Sequence, residues 1–224
     1  MKKIVELVLI SMLLVCTTAA ADSYRVTTLR ASPGQFEALL RLASRYRDER
    51  QGEVILMRHS QGDQWDLMLL EPAGANAVAG KDFSSLVDFQ HNFLADSASP
   101  WADVKKSAAT AGLYHIEMFH ALAGKKAGLI DQRHRENRYL MNTGQTTNTV
   151  FVTTFGSDVD VFTVGFHADM NAFAKGPTVS DEQAEDVAKQ AGFKDRADLG
   201  FYLRSLLISH HDTLAGPVGQ EHSL

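Results

Sequence analysis

The sequence predicts an α+β fold in which one unit is written twice, with antiparallel sheets covered on both faces. The first observation is a repeat at an offset of 90 residues. It lays Tyr24-Arg25-Val26-Thr27-Thr28-Leu29-Arg30-Ala31 over Tyr114-His115-Ile116-Glu117-Met118-Phe119-His120-Ala121, then Gly34 over Gly124 and Leu39 over Leu129. The second is its continuation at an offset of 94, where Gly62-Asp63-Gln64-Trp65-Asp66-Leu67 meets Gly156-Ser157-Asp158-Val159-Asp160-Val161. The third is that Val54-Ile55-Leu56-Met57 runs apolar without alternating, while Val161, Phe162, Val164 and Phe166 crowd both faces of their strand. One face of such a sheet takes helices and the other needs a second sheet.

Each element follows from local chemistry. Residues 24–30 read as a strand. Ser32-Pro33-Gly34-Gln35 then opens a helix, with Ser32 as cap, Pro33 in the first turn and Gln35 completing a capping box. Phe36, Leu39, Leu40, Ala43 and Tyr46 form its apolar face, to about Asp48. Strands from Val54 to Ser60 and Gln64 to Glu71 flank a turn at Gln61-Gly62-Asp63, and strands from Thr149 to Thr154 and Val159 to His167 repeat the hairpin. Helices are expected from Phe83 to Ala95 and from Ala197 to Ala215, where His91-Asn92-Phe93-Leu94-Ala95 parallels His211-Asp212-Thr213-Leu214-Ala215 at an offset of 120. The larger offset implies a helical insertion at about residues 169–197, with a capping box at Ser180-Asp181-Glu182-Gln183 and a stop at Ala191-Gly192. A closing strand after each of those helices is expected from Asp96 to Ala111 and from Leu214 to Val218, both poor strand sequences.

Residues 1–21 read as an export signal, with Lys2 and Lys3, an apolar run from Leu7 to Val15, and Ala19-Ala20-Ala21 before Asp22. That run falls well short of the ~20 residues that span a bilayer, so no membrane span is expected, and the mature chain belongs in the periplasm or outside the cell. Cys16 is the only cysteine and leaves with the leader, so no disulfide, thiol nucleophile or thiolate metal site remains. A hydrophobic fraction of 45% is that of an ordinary globular core. The net charge of −5, without a long basic run, argues against nucleic acid as partner. Two units are expected, residues 22–112 and 113–218, followed by a loose tail at 219–224.

Strand, helix, hairpin and helix, twice over, resembles the dimeric α/β-barrel superfamily of ferredoxin-like domains, fused here into one chain. The resemblance covers most of residues 23–218 and is topological. The run Phe201-Tyr202-Leu203-Arg204-Ser205-Leu206 to His210-His211-Asp212-Thr213-Leu214 also resembles the ends of uncharacterised exported bacterial proteins. The superfamily includes haem-degrading monooxygenases, haem peroxidases and cofactor-free oxygenases, so haem is a cofactor that the resemblance implies. Fold does not fix function.

Candidate ligand-binding residues are His211, His210, Arg204, His91 and Trp65. His91 and His211 occupy equivalent places inside apolar stripes, and in haem-using relatives a late-helix histidine ligates iron. Packing over a helix C-terminus is the competing reading. Trp65 stacks on a flat ligand or serves the core, while Arg58, His59 and Arg204 lie near element ends where a cavity would open. His115 and His120 are five apart on a strand and face opposite ways, whereas His115 and Glu117 share a face. Two ligands make no site and no HExxH occurs, so no metal site is assigned. No Gly-x-Ser-x-Gly elbow or phosphate loop is present. The expected function is binding of a small apolar or aromatic molecule. The alternatives are a haem-dependent or cofactor-free oxidoreductase using His211, and a non-catalytic assembly module; a homo-oligomer is compatible with each.

Overall fold

The computed structural model describes residues 21–74 and 81–219, so the expected leader and tail lie outside it except for residues 21 and 219. The chain runs β1 (Asp22–Ala31), α1 (Phe36–Glu49), β2 (Ile55–Gln61), β3 (Leu67–Pro72), β4 (Val87–Ser97), α2 (Trp101–Ala109) and β5 (Leu113–Ala121). It continues with α3 (Lys126–Asn142), β6 (Asn148–Phe155), β7 (Val161–His167), α4 (Met170–Ala174), α5 (Asp181–Ala191), α6 (Asp198–Arg204) and β8 (Leu207–Pro217). Among the described residues, no helix is long and apolar enough to cross a membrane.

The strands order as β4-β1-β3-β2 in the first half and β8-β5-β7-β6 in the second. The antiparallel pairs β2–β8 and β4–β6 join the halves into a closed eight-stranded barrel. In place of two sheets packed face to face, as the sequence suggests, one continuous sheet surrounds the core, and it closes within a single chain. The expected equivalences recur as hydrogen bonds. Ala31 N donates to Asp66 Oδ2 at 2.7 Å and Ala121 N to Asp160 Oδ2 at 2.9 Å. Asp66 N reaches Leu29 O at 2.7 Å, and Asp160 N reaches Phe119 O at 2.9 Å.

Two expected helices are largely strands, and only residues 198–204 of the second are helical, as α6. Residues 87–97 and 207–217 form β4 and β8, so His91, His210 and His211 sit on strands. Val87, His91 and Leu94 fit a helical period at spacings of four and three, but the odd second step puts Leu94 on the strand face opposite His91. Phe89, His91, Phe93 and Ala95 face the barrel interior, while Val87, beyond a bulge opposite Arg30 and Ala31, packs on the outer core. The closing strands expected beyond those helices are instead these same segments, and most of Asp96 to Ala111 is spent on α2. Helix α1 starts at Phe36, later than the Ser32 cap implies, because Gly34 takes a left-handed φ of 78° that no helical turn accepts. The Ser180 box does form, with Ser180 Oγ accepting from Gln183 N at 3.2 Å and Ser180 N donating to Gln183 Oε1 at 3.0 Å.

Strand alternation divides the side chains between two cores. Tyr24, Val26, Met57, Met68, Phe93, Ile116, Phe151, Phe162 and Val164 fill the barrel. Outside it, α1 covers Leu29, Leu56, Leu67 and Leu69, and α3 covers Phe119, Val150 and Val161. Phe151 and Phe162 stack at 4.5 Å, with Tyr24 edge-on to Phe151 at 5.0 Å. Val104 and Trp101 of α2 pack on this inner core beside Tyr24, so α2 stoppers one end of the barrel. The opposite end is where the hairpins turn.

Truncation of Phe151 to Ala is expected to cost ~3–5 kcal/mol in denaturant unfolding, since the site is fully packed. At Gly62, φ is 128° and an added Cβ would lie 2.1 Å from Asp212 O across the β2–β8 seam. Gly62→Ala is therefore expected to lose at least ~2 kcal/mol. Gly34→Ala, with φ of 78° and open space around it, should lose only ~1–2 kcal/mol. Equal losses at the two glycines would show that the seam tolerates displacement.

Candidate functional site at the barrel mouth

The hairpin end of the barrel holds a cavity of about 540 Å³ lined by residues from both halves. Strand β1 contributes Thr28, β4 contributes Phe89, His91 and Phe93, β5 contributes Met118 and His120, and β8 contributes His211. The two hairpin turns add Gly62, Asp63, Gln64 and Trp65 on one side and Asp158 and Val159 on the other. Register explains the gathering. Thr28 pairs with His91 across β1–β4, and Met118 pairs with His211 across β5–β8, so both histidines point inward one position above the packed core.

Each histidine has a distinct setting. His91 Nε2 lies 2.8 Å from Gly156 O, and because a carbonyl can only accept, Nε2 donates the hydrogen of this bond. His120 Nδ1 lies 3.2 Å from Ser209 Oγ, and its Nε2 is 3.6 Å from Asp158 Oδ2. That carboxylate is 87% exposed, so its pull on the ring is screened by water. His211 meets His120 edge-on at 6.1 Å and has no hydrogen-bond partner among the described residues, which leaves its ring free for a ligand. Trp65 is 2% exposed, donates Nε1 to Asp63 Oδ2 at 3.2 Å and forms a flat apolar wall.

Of the five residues singled out from sequence, His211, His91 and Trp65 meet here. His210 and Arg204 do not. They are next to one another outside the barrel, where His210 stacks on Phe119 at 5.9 Å and its Nδ1 accepts from Arg204 Nη1 at 3.1 Å. One step along β8 reverses the face, so the adjacent histidines cannot share a site. His59 packs against Trp65 at 5.7 Å, and Arg58 lies over Phe36 at 5.3 Å. The lining also takes in Phe89, Phe93 and Met118, which the sequence does not single out, and His120, which it weighs only beside His115. Their signal was alternation, since Tyr114, Ile116, Met118 and His120 share one face of β5.

A second, smaller cavity of about 170 Å³ lies on the outer face of the second half, lined by His115, Glu117, Glu136, Asn148, His167 and Phe173 among others. Burial, and then the neighbouring His115, hold the His167 imidazole below its ordinary pKa. Burial raises the Glu136 carboxyl, and Arg133 beside it opposes that shift.

No protein-family model matches the sequence, and no curated protein does. Solved structures are similar in fold. An anthrone oxidase-like protein is 9% identical with a TM-score of 0.59, over 89% of this chain and 92% of its own. A monooxygenase-like protein from Fusobacterium nucleatum is 8% identical with a TM-score of 0.56, over 89% and 94%. A mutant chlorite dismutase from Candidatus Nitrospira defluvii is 12% identical with a TM-score of 0.50, over 89% and 93%. At such identities the likeness is one of architecture, and that architecture is the dimeric α/β barrel.

The assigned tautomer of His91 is directly measurable. Long-range ¹H–¹⁵N spectra at pH 8 should record His91 as the Nε2–H form; an Nδ1–H signal would contradict the bond to Gly156.

Proposed function

Starting from a dimeric α/β barrel closed within one chain, we propose that the protein is exported and binds a small aromatic molecule with hydrogen-bonding edges in the mouth of that barrel. The carrying observation is the convergence of His91, His120 and His211 with Trp65, Phe89 and Phe93 on one cavity of about 540 Å³. Its size is that of an ordinary ligand pocket, and its mixture of flat apolar walls with a few polar groups suits a planar ligand bearing hydroxyl or carbonyl groups. Export is supported by the leader pattern of Lys2, Lys3, Leu7 to Val15 and Ala19-Ala20-Ala21. We read the halves, residues 22–112 and 113–218, as two ferredoxin-like units, supported by the identical strand order within each.

A second reading is a cofactor-free oxidoreductase. It is favoured by the anthrone oxidase-like and monooxygenase-like neighbours and by the ring of His211, which has no partner among the described residues. Such a base would take a proton from an activated C–H or O–H of the ligand, and dioxygen would receive the electrons. With anthrone the balance is one dioxygen consumed for one anthraquinone and one water. Haem suits this mouth poorly. Its lining includes Asp63 and Asp158 and, among the described residues, no Lys or Arg to meet the propionates.

The test is a fluorescence titration of residues 22–224 with anthrone, 2-naphthol and haem, in a Trp101→Phe background that leaves Trp65 as the sole tryptophan. Saturable quenching near one equivalent by an aromatic probe is expected, weakened at least tenfold, or ~1.4 kcal/mol, by His211→Ala. Absence of saturation with both aromatic probes would sink the reading. A Soret band abolished by His211→Ala would replace it with a haem protein. Dioxygen uptake with anthraquinone formation, lost in His211→Ala, would establish the oxidoreductase.

A further inference from the structure

The outer face of β5 and β8 carries a second cluster. One donor atom from each of His115, Glu117 and Asp212 falls within 4.8 Å of the others. Glu117 and Asp212 are direct cross-strand partners, so two carboxylates oppose one another on the same face. Like charges in that position repel. The first half resolves the equivalent position differently, because its partners are Thr27 and Asn92, and Thr27 Oγ1 donates to Asn92 Oδ1 at 2.8 Å.

The rest of the neighbourhood departs in the same direction. In the first half Arg25 Nε binds Glu71 Oε1 at 2.9 Å and Tyr46 OH donates to Glu71 Oε2 at 2.9 Å, a closed arrangement with its own guanidinium. The corresponding residues of the second half are His115, Gly165 and Glu136. The acid is replaced by a glycine and the arginine by a neutral-capable ligand. An added Cβ on Gly165 would meet Asn148 Oδ1 at 2.7 Å and His167 Nε2 at 2.8 Å, so both side chains lean over the space it vacates. His167 is 8% exposed, lines the same cavity as His115 and Glu117, and its Nδ1 has no hydrogen-bond partner among the described residues. Arg133 pairs with both Glu117 and Glu136, so one guanidinium faces the three carboxylates Glu117, Glu136 and Asp212, and Asp212 receives none of its hydrogen bonds.

We propose that His115, Glu117 and Asp212 bind one divalent first-row cation of the Zn²⁺ type on the outer face of the second half. Mixed imidazole and carboxylate donors select such ions over Mg²⁺. With bonds of ~2.1 Å, donors sit ~3–4 Å apart around the ion, so a small inward movement closes the site. Arg133 and Thr163 both engage Glu117 through Oε2, which leaves Oε1 to ligate. Asp212 is held from behind, since Arg204 fixes His210 and His210 Nε2 lies 3.5 Å from Asp212 Oδ2. Outer partners of this kind orient metal ligands. His210 and Arg204 thereby gain a role that the barrel mouth does not give them.

The experiment is a calorimetric titration of residues 22–224 with Zn²⁺ at pH 7.5, with Mg²⁺ as the comparison ion. Zn²⁺ is expected to bind at one equivalent. Its Kd should weaken at least tenfold in Asp212→Asn, which recreates the neutral residue of the first half, and in His115→Ala. It should stay within twofold in His211→Ala, which separates this site from the barrel mouth. Saturating Zn²⁺ should raise the melting temperature of the parent and leave that of Asp212→Asn unchanged. Undiminished one-equivalent binding in Asp212→Asn, loss in His211→Ala, or no stoichiometric binding by the parent would each overturn the proposal.

Discussion

The β2–β8 and β4–β6 seams are the constraint on which everything else in this molecule depends. Each half alone would present two unpaired edges, with rows of N–H and C=O groups open to other chains. Pairing the halves edge to edge satisfies those groups and creates a single interior that neither half could enclose. The seams are narrow. Gly62 presses against the backbone at Asp212, and its counterpart Gly156 lies against Asn92 and Phe93, so each hairpin turn is seated on the opposite half. Only residues without a Cβ fit so close to a neighbouring backbone. The same contact orients the barrel mouth, because Gly156 O fixes the ring of His91.

Closure also sorts chemistry by depth. At the α2 end the interior is filled by Tyr24, Phe151, Phe162 and their neighbours, and no room is left for a ligand. About four residues along β1, or ~13 Å at the rise of a strand, the wall changes to Thr28, His91, Met118 and His211. Aromatic packing below gives the mouth a rigid floor. Polar residues can line it at modest cost because they remain open to solvent on one side.

The two halves share a strand order and differ in side chains. In the mouth, the counterpart of Trp65 is Val159 and that of Thr28 is Met118, so the first half supplies an aromatic residue where the second supplies an aliphatic one. On the outer faces, Arg25, Glu71 and Tyr46 form a closed set in the first half, and His115, Gly165 and Glu136 leave a cavity in the second. The shared hydrogen bonds from Asp66 and Asp160 hold both hairpins regardless. Scaffold and site are thus carried by different residues, and one half could change its surface without loosening the barrel.

What the sequence determined by itself was the repetition, the first three strands of each half, the long helix after each opening strand, and the candidacy of His91, His211 and Trp65. These rest on local rules, since apolar period and glycine position act within a few residues. Residues 87–97 and 207–217 carry Val87, His91 and Leu94, and Leu207, His211 and Leu214, at helical spacings of four and three, yet they are strands because the edges of β1 and β5 need partners. Only tertiary structure could bring His120 beside His211, send His210 to the opposite face, and set Asp212 across from Glu117. Those meetings are matters of register between strands distant in sequence, and a shift of one residue would reverse every one of them.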